Sequence, residues 1–309
     1  MKNISRRTIL KQGTFTAASM AFLGALPEEL AAQSLARATG IQLYTVGKEL
    51  KSDMPGTLTK IAAIGYRTVE SAGLGGKSAA EFRKALDDAG LKCPSSHIFL
   101  APGQTAPEYF DAVKTLGSTY VVSSVMIKPG TPVKSADDYQ KYVAAMTRDD
   151  YKRMAAELNA LGVQARSAGL QLAYHNHNLE FRVLSDGTTI YDTLMAETDP
   201  SLMKIEIDCG WADLAGHPPV ALFKKYAGRV RMLHIKDFVA VPKPVITLDS
   251  RTEPQWTELG SGHINYRAIL AAAPAAGVEQ IFVEQEPPFV KFTPLEAAKV
   301  DYAYLQSIG

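Results

Sequence analysis

Two cysteines, Cys93 and Cys209, are all that 309 residues contain, too few for a disulfide scaffold and with no Cys-x-x-Cys pair to build a zinc cluster. Charge of one sign is equally scarce: 33 Lys and Arg stand against 32 Asp and Glu, so nothing pulls the chain as a whole toward nucleic acid or an anionic membrane. No Gly-x-Gly-x-x-Gly follows the first strand-like run, which removes the usual sign of a dinucleotide-binding sheet. Apolar residues are not lacking. At 46% hydrophobic and 21% charged the chain is no disordered polyelectrolyte, and its length suits one α/β barrel of about 250 residues.

The amino terminus differs from the rest. Ser5-Arg6-Arg7-Thr8-Ile9-Leu10-Lys11 resembles the twin-arginine export motif, with Ile9 where Phe is usual. A weakly apolar stretch follows over residues 15–26, and then the small-residue site Ala36-Arg37-Ala38. Basic head, apolar middle and A-x-A end are the parts of a signal peptide, and the middle is too short for a permanent membrane anchor. Residues 1–38 are therefore expected to be a twin-arginine-type signal peptide and residues 39–309 a single domain. That domain would be periplasmic or secreted, after passage through the twin-arginine translocation machinery. Removing residues 1–38 takes away five basic residues and two acidic ones, leaving a net charge of −2, which argues further against a nucleic-acid partner.

Beyond residue 39, short β-rich runs alternate with Ala-rich amphipathic segments. Strands are expected over 41–46, 68–71, 92–97, 120–126, 170–175, 203–208, 229–235 and 280–284. Helices are expected over 54–64, 79–89, 107–116, 149–168, 188–197, 219–226 and 266–275. Gly65, Gly90, Gly117, Gly169, Gly228 and Gly277 each fall between a helix and the next strand, as left-handed helix stops do. Eight strand–helix units imply parallel strands and close most simply into a (β/α)8 TIM barrel.

In such a barrel the chemistry sits where the strands end. Here the ends are Glu70, His97, His175-Asn176-His177, Glu206-Ile207-Asp208, His234-Ile235-Lys236-Asp237 and Glu284-Gln285-Glu286. Strand side chains alternate, so His175 shares a face with His177, Glu206 with Asp208, His234 with Lys236 and Glu284 with Glu286. Asp208, His234 and Glu284 then converge from three neighbouring strands, with His175 from a fourth. Mixed carboxylate and imidazole donors suit Mn²⁺, Zn²⁺, Co²⁺ or Fe²⁺ better than Ca²⁺. Any one of these residues alone would read as a cap or a hydrogen-bonded structural group; their recurrence on successive strands is the signal. Cys209 reads as a small buried hydrophobe. His217 and His263 lie in loop-like segments without a role.

The chain resembles the xylose isomerase-like TIM barrels, sugar phosphate isomerase/epimerase-like proteins, from Gly40-Ile41-Gln42-Leu43-Tyr44 to its last helix. The pieces are Val69-Glu70, Tyr174-His175-Asn176-His177 with Glu180-Phe181, Asp208-Cys209-Gly210-Trp211, His234-Ile235-Lys236-Asp237, the run from Leu259 through Gly260, Ser261, Gly262, His263, Ile264 and Asn265 to Tyr266, and Val283-Glu284. The resemblance implies one divalent metal ion (Mn, Zn, Co, Fe or Mg) held by His175, Asp208, His234 and Glu284. Many sugar epimerases of this family carry Glu where His175 stands, paired with the Glu of the last strand as two opposed acid–base groups. That pair is broken here.

The expected activity is isomerisation or epimerisation of a keto sugar or keto-glycoside, by α-proton abstraction and an enediolate. A lyase or hydrolase acting on 3-keto-glycosides by β-elimination is the alternative on the same site. His177, Glu284 and Glu70 are the acid–base residues to consider, with Lys236 stabilising negative charge. His97, Glu206, Trp211 and Gln42 are expected to contact substrate. Export favours an unphosphorylated sugar. A non-catalytic sugar-binding module and an endonuclease IV-like phosphodiesterase are the remaining readings; six histidines and a net acidic domain weigh against the last. Homo-oligomerisation is left open.

Overall fold

Eight parallel strands close into one barrel, and every neighbouring pair but the closing ones is consecutive along the chain. The computed structural model describes residues 28–98, 104–124, 135–246 and 254–309. The twin-arginine residues 5–11, residues 15–26 and Met126 lie outside the described residues. The staves are β1 (Gly40–Gln42), β2 (Thr68–Ala72), β3 (Lys92–His97), β4 (Tyr120–Ser123), β5 (Gln171–His175), β6 (Met203–Asp208) and β7 (Val230–Ile235). A two-strand antiparallel ribbon, β8 (Asp237–Phe238) with β9 (Trp256–Thr257), precedes the last stave, β10 (Gln280–Val283), which pairs with both β7 and β1. The expected (β/α)8 architecture is the observed one.

The surrounding helices begin where the sequence offers caps. Ser78 opens α4 (Ala79–Ala89), Thr105 opens α5 (Ala106–Thr115), Thr147 opens α7 (Arg148–Ser167), Thr189 opens α8 (Ile190–Glu197) and Thr293 opens α12 (Pro294–Ile308). Each forms a reciprocal capping box with the acidic residue three positions on, satisfying donors that a helix end otherwise leaves bare. Gly90 and Gly277 stop α4 and α11 (Tyr266–Ala276) at φ of 68° and 89°, a region closed to most side chains. The remaining helices are α1 (Glu28–Arg37), α2 (Gly47–Ser52), α3 (Met54–Ile64), α6 (Ala136–Ala145), α9 (Cys209–Leu214) and α10 (Pro219–Lys225).

Two departures from expectation have clear causes. The first strand ends at Gln42 rather than residue 46, because the Gln42 carboxamide accepts the Tyr44 N–H at 3.1 Å and curls Leu43–Val46 into a 3-10 turn. Residues 28–37, inside the segment expected to be a signal peptide, form α1. It packs on α11 and α12, with Ala36 fully buried.

The apolar core is split by the barrel wall. The large part lies between strands and helices; a small one, of Val122, Ala173, Met232 and Phe282, fills the barrel interior. By strand alternation, Ala173, Met232 and Phe282 lie two residues below His175, His234 and Glu284, so they form the floor on which the polar layer rests.

Candidate metal centre

Above that floor, ionisable side chains are packed almost wholly out of reach of solvent. Glu70, Glu206, Asp208 and His234 are fully buried, and His175 and Glu284 nearly so. Burying this many charges is tolerable only if they answer one another. They do so in two tiers.

The lower tier is centred on two carboxylates. Glu70 accepts from Gln42 Nε2 at 2.8 Å and Ser95 Oγ at 2.5 Å, and lies 2.5 Å from His234 Nε2. Glu206 Oε2 lies 3.0 Å from both His97 Nε2 and His175 Nδ1. Burial opposes the charge on Glu70, but His97 and His234 win and hold it well below the usual carboxylate range. Burial, with Glu70 next to it, lifts Glu206 to about 7. Burial works against the His97 cation, yet Glu70 and Glu206 raise it to about 9.

The upper tier uses the other ring nitrogens. His175 turns Nε2 toward Asp208 Oδ2 at 3.8 Å, and His234 turns Nδ1 toward Glu284 Oε2 at 3.2 Å. Ligand atoms of His175, Asp208, His234 and Glu284 all lie within 4.8 Å of one another. A second set, His97, His175, Glu206 and His234, meets the same distance criterion one tier down. In that set Glu206 and Glu70 already engage one nitrogen of each shared imidazole, which is how a metal-binding histidine is commonly backed.

Asp208 is placed by its own helix: Oδ1 accepts the Trp211 N–H at 2.8 Å and so caps α9. Asn176, the residue after β5, grips the same residue, accepting from Asp208 N at 3.1 Å and donating to Asp208 O at 3.3 Å. Asp208 Oδ2 is buried and aimed into the cluster, where its partner is the Lys236 ammonium at 2.9 Å. Burial and the neighbouring His234 and His97 push His175 well below its ordinary value, so its imidazole is neutral, as ligation requires. Burial opposes charge on Glu284, but Lys236 and His234 keep it ionised well below the usual range. An ionised glutamate, the neutral His175 imidazole and an aspartate oxygen held by Lys236 alone fit a divalent ion. Burial opposes the His234 cation but Glu206, Glu70 and Glu284 favour it, so His234 would release its proton on ligation.

Lys236 is the other cation of the mouth. Its Nζ lies 2.5 Å from Glu284 Oε2, 2.6 Å from Glu286 Oε1 and 2.9 Å from Asp208 Oδ2, over the faces of Trp211 and Trp256. Burial would lower its pKa, but Asp208, Glu284 and Glu286 raise it well above the lysine range. A divalent ion and this ammonium draw on the same two carboxylates, and Glu286 is the partner of Lys236 that the imidazoles do not share.

The residues read from the sequence thus occupy distinct depths. His175, Asp208, His234 and Glu284 come together. Lys236 lies against them. His177 stands one layer out, a quarter exposed; its backbone N–H donates to Glu180 Oε2 at 3.1 Å while its Nδ1 is buried with no hydrogen bond. Trp211 forms a wall of the mouth, with Nε1 donating to Glu286 Oε1 at 3.0 Å. Glu70, expected as a base at the mouth, is instead fully buried with its oxygens engaged by Gln42, Ser95 and His234. Gln42 and Glu206, expected to contact substrate, are sealed in the same lower tier, and His97 reaches it from the side. Glu286 and Asn176 belong to the site and were assigned no role from sequence, although Glu286 shares the face of Glu284. Asp237 was a plausible cap and is a clamp: its buried carboxylate accepts from the N–H groups of Phe238, Gly260, Gly262, His263 and Ile264. His263 pairs with Asp213 at 2.8 Å, and His217 stacks on Phe181, both apart from the cluster.

The chain is similar to known proteins along this whole framework. It is 30% identical over 171 residues to an inosose dehydratase of Lacticaseibacillus casei, a match spanning 52% of this chain and about half, 55%, of that protein. An inosose dehydratase of Clostridium beijerinckii is 26% identical over 291 residues, 87% of this chain and 93% of the relative. The crystal structure of a sugar phosphate isomerase/epimerase from Parabacteroides distasonis superposes with a TM-score of 0.68 at 26% identity, covering 87% of this chain and 93% of the other. Residues 58–308, all but the first stave and the helices around it, match the model of a single family. With the closed barrel and its buried ring of donors, that match makes the chain a member of the xylose isomerase-like TIM barrel family.

Proposed function

We propose that this chain is a divalent-metal-dependent lyase that eliminates a β-substituent from a keto sugar or keto-polyol. The observation that carries the reading is the asymmetry of the mouth. Epimerisation needs two opposed acid–base groups, one for each face of the same carbon. Here His175 takes the place of one of them, with one nitrogen on Glu206 and the other directed at the ligand cluster. Elimination needs only one group, able to take the α-proton and pass it to the departing oxygen on the same face. The similarity to two inosose dehydratases, proteins named for loss of water from a keto-cyclitol, supports the same choice over the isomerase or epimerase.

A divalent ion held by His175, Asp208, His234 and Glu284 would polarise the substrate carbonyl and acidify the adjacent C–H. His177, a quarter exposed at the mouth with its buried Nδ1 turned to Glu180 Oε1 at 4.0 Å, takes that proton on Nε2 and returns it to the leaving oxygen. Lys236 places positive charge beside the oxygen on which negative charge develops. Trp211 and Trp256 shield the ammonium from water and strengthen that field. The balance is simple: a C–H and a β C–O bond break, a C=C bond forms, and water or an alcohol leaves.

His177→Ala tests the assignment. It should retain the metal and lose about 10²–10⁴ in turnover, the usual worth of a general acid–base group. Near-native turnover at saturating metal would exclude His177 and with it this proton path. The proposal also includes export by the twin-arginine route, supported by Arg6-Arg7 and the apolar stretch behind them. The pair Arg6→Lys and Arg7→Lys should then hold the precursor in the cytoplasm, and unchanged export would defeat that part.

A further inference from the structure

Lys236 is held in the mouth at both ends of its side chain. At the near end its backbone is clasped by one phenol: Lys236 N donates to the Tyr266 hydroxyl at 2.9 Å, and that hydroxyl donates to Lys236 O at 2.5 Å. The stem runs past Gly210, where an added Cβ would collide with the Lys236 side chain. At the far end Nζ lies within 2.9 Å of three carboxylates, Asp208, Glu284 and Glu286. An ammonium has three N–H donors, so each has one carboxylate and none is spare. The indole faces of Trp211 and Trp256, centred 5.3 and 5.4 Å from Nζ, close the sides.

Two of these carboxylates, Asp208 and Glu284, are also the acidic members of the proposed ligand set. The oxygens that Lys236 takes are the ones that face the imidazoles: Asp208 Oδ2 lies 3.8 Å from His175 Nε2, and Glu284 Oε2 lies 3.2 Å from His234 Nδ1. Lys236, Asp208 and Glu284 are all buried, so an ion and an ammonium drawn to the same oxygens repel each other with little screening. Glu286 differs. Its Oε1 is shared by Lys236 Nζ at 2.6 Å and Trp211 Nε1 at 3.0 Å, and it belongs to neither group of metal-capable donors among the described residues.

Resting on the metal-site reading, we infer that Lys236 sets the threshold for metal binding, because its ammonium competes with the ion for Asp208 and Glu284. Glu286 is the positioning residue that keeps the ammonium in the mouth when an ion takes the other two. The penalty is the same for every divalent ion, so it does not reorder them. It decides which of them bind at all. Zn²⁺ and Mn²⁺ accept mixed imidazole and carboxylate donors and clear the threshold. Mg²⁺, which gives up its water reluctantly and prefers oxygen donors, does not. The same exchange releases two N–H groups of Lys236 for the substrate oxygen on which negative charge develops.

The test is calorimetric titration of the chelator-treated full chain with Zn²⁺, Mn²⁺ and Mg²⁺, so that the readout is metal affinity and not turnover. Lys236→Met should bind Zn²⁺ and Mn²⁺ at least about tenfold more tightly than the native protein and should acquire measurable Mg²⁺ binding. A gain in affinity is not what a merely damaged mouth would give. Glu286→Gln should weaken Zn²⁺ binding about fivefold in the native background but less than about twofold in Lys236→Met, because its effect passes through the lysine. Equal losses in both backgrounds would remove Glu286 as the positioning residue. Unchanged or weaker Zn²⁺ binding in Lys236→Met would overturn the competition while leaving the metal site standing. Should that variant not fold, Lys236→Gln, which keeps an amide to donate to the carboxylates, replaces it with the same expectation. If neither the native protein nor any folded variant takes up Zn²⁺ or Mn²⁺, the metal-site reading falls and the threshold with it.

Discussion

His175 and His234 each stand between two carboxylates, and the tier to which each nitrogen is given decides what the site can hold. With Glu206 on His175 Nδ1 and Glu70 on His234 Nε2, the opposite nitrogens face Asp208 and Glu284 with little freedom to rotate. Outer carboxylates of this kind are commonly worth 10–100-fold in metal affinity. Glu206→Ala and Glu70→Ala should each weaken metal binding by about that factor in a calorimetric titration, whereas Glu206→Gln, which keeps an acceptor oxygen, should recover part of the loss. His175→Ala should lose most of the affinity. Unchanged affinity in both alanine variants of the glutamates would show that the lower tier is only packing. These depths were not legible in the sequence. Alternation put Glu206 and Asp208 on one face, but which of them meets a histidine at a given height depends on the stagger between staves. His175 is level with Glu206, whereas His234 is level with Asp208 on one side and Phe282 on the other. That stagger belongs to barrel closure and leaves no trace in a single strand.

At the scale of elements, the eight staves and the helices α3, α4, α5, α7, α8, α10 and α11 were readable because they carry local signals, a period, a cap or a glycine stop. Helices α2, α6, α9 and α12 and the β8–β9 ribbon were not among the expected elements. What the sequence hid were contacts made across the fold. Asp237 is one, gathering the loop from Gly260 to Ile264 by its backbone. Asp301 of α12 is another, buried with Oδ1 accepting from Leu259 N at 2.7 Å. Burial, opposed by that hydrogen bond and reinforced by Glu258 and Asp237, pushes its carboxyl up to about 8. The unfolded chain releases this proton near the ordinary value of about 3.9. The folded state therefore keeps a proton that the unfolded state has lost, and the resulting stability is complete below about pH 4 and disappears as pH rises toward 8. Asp301→Asn should flatten this part of the stability–pH curve measured by denaturant unfolding; an unchanged slope would remove Asp301 as its source. The first helix gives a further expectation. Ala36 is buried against the barrel, and Thr39 Oγ1 donates to Ala36 O at 2.9 Å. A chain starting at Glu28 should melt like the full chain, while one starting at Thr39 should melt lower, and equal melting temperatures would show that α1 adds nothing.

For the molecule as a whole, the barrel isolates a dense set of charges from water on an apolar floor and opens it at one end. Among the described residues no helix is long and apolar enough to cross a membrane. A ligand bound only by the folded state stabilises it by mass action, so Mn²⁺ or Zn²⁺ at 100 times its dissociation constant should add about 2.7 kcal/mol. Asp208→Ala should abolish that gain in thermal unfolding. The most direct test of the central claim is NMR of the metal-loaded protein acting on a keto-inositol and on methyl 3-keto-glucoside in D₂O. The account predicts an olefinic product with release of water or methanol, dependent on the metal and lost in His177→Ala. Deuterium at the α-carbon of an epimerised or isomerised sugar, with no elimination product, would contradict it.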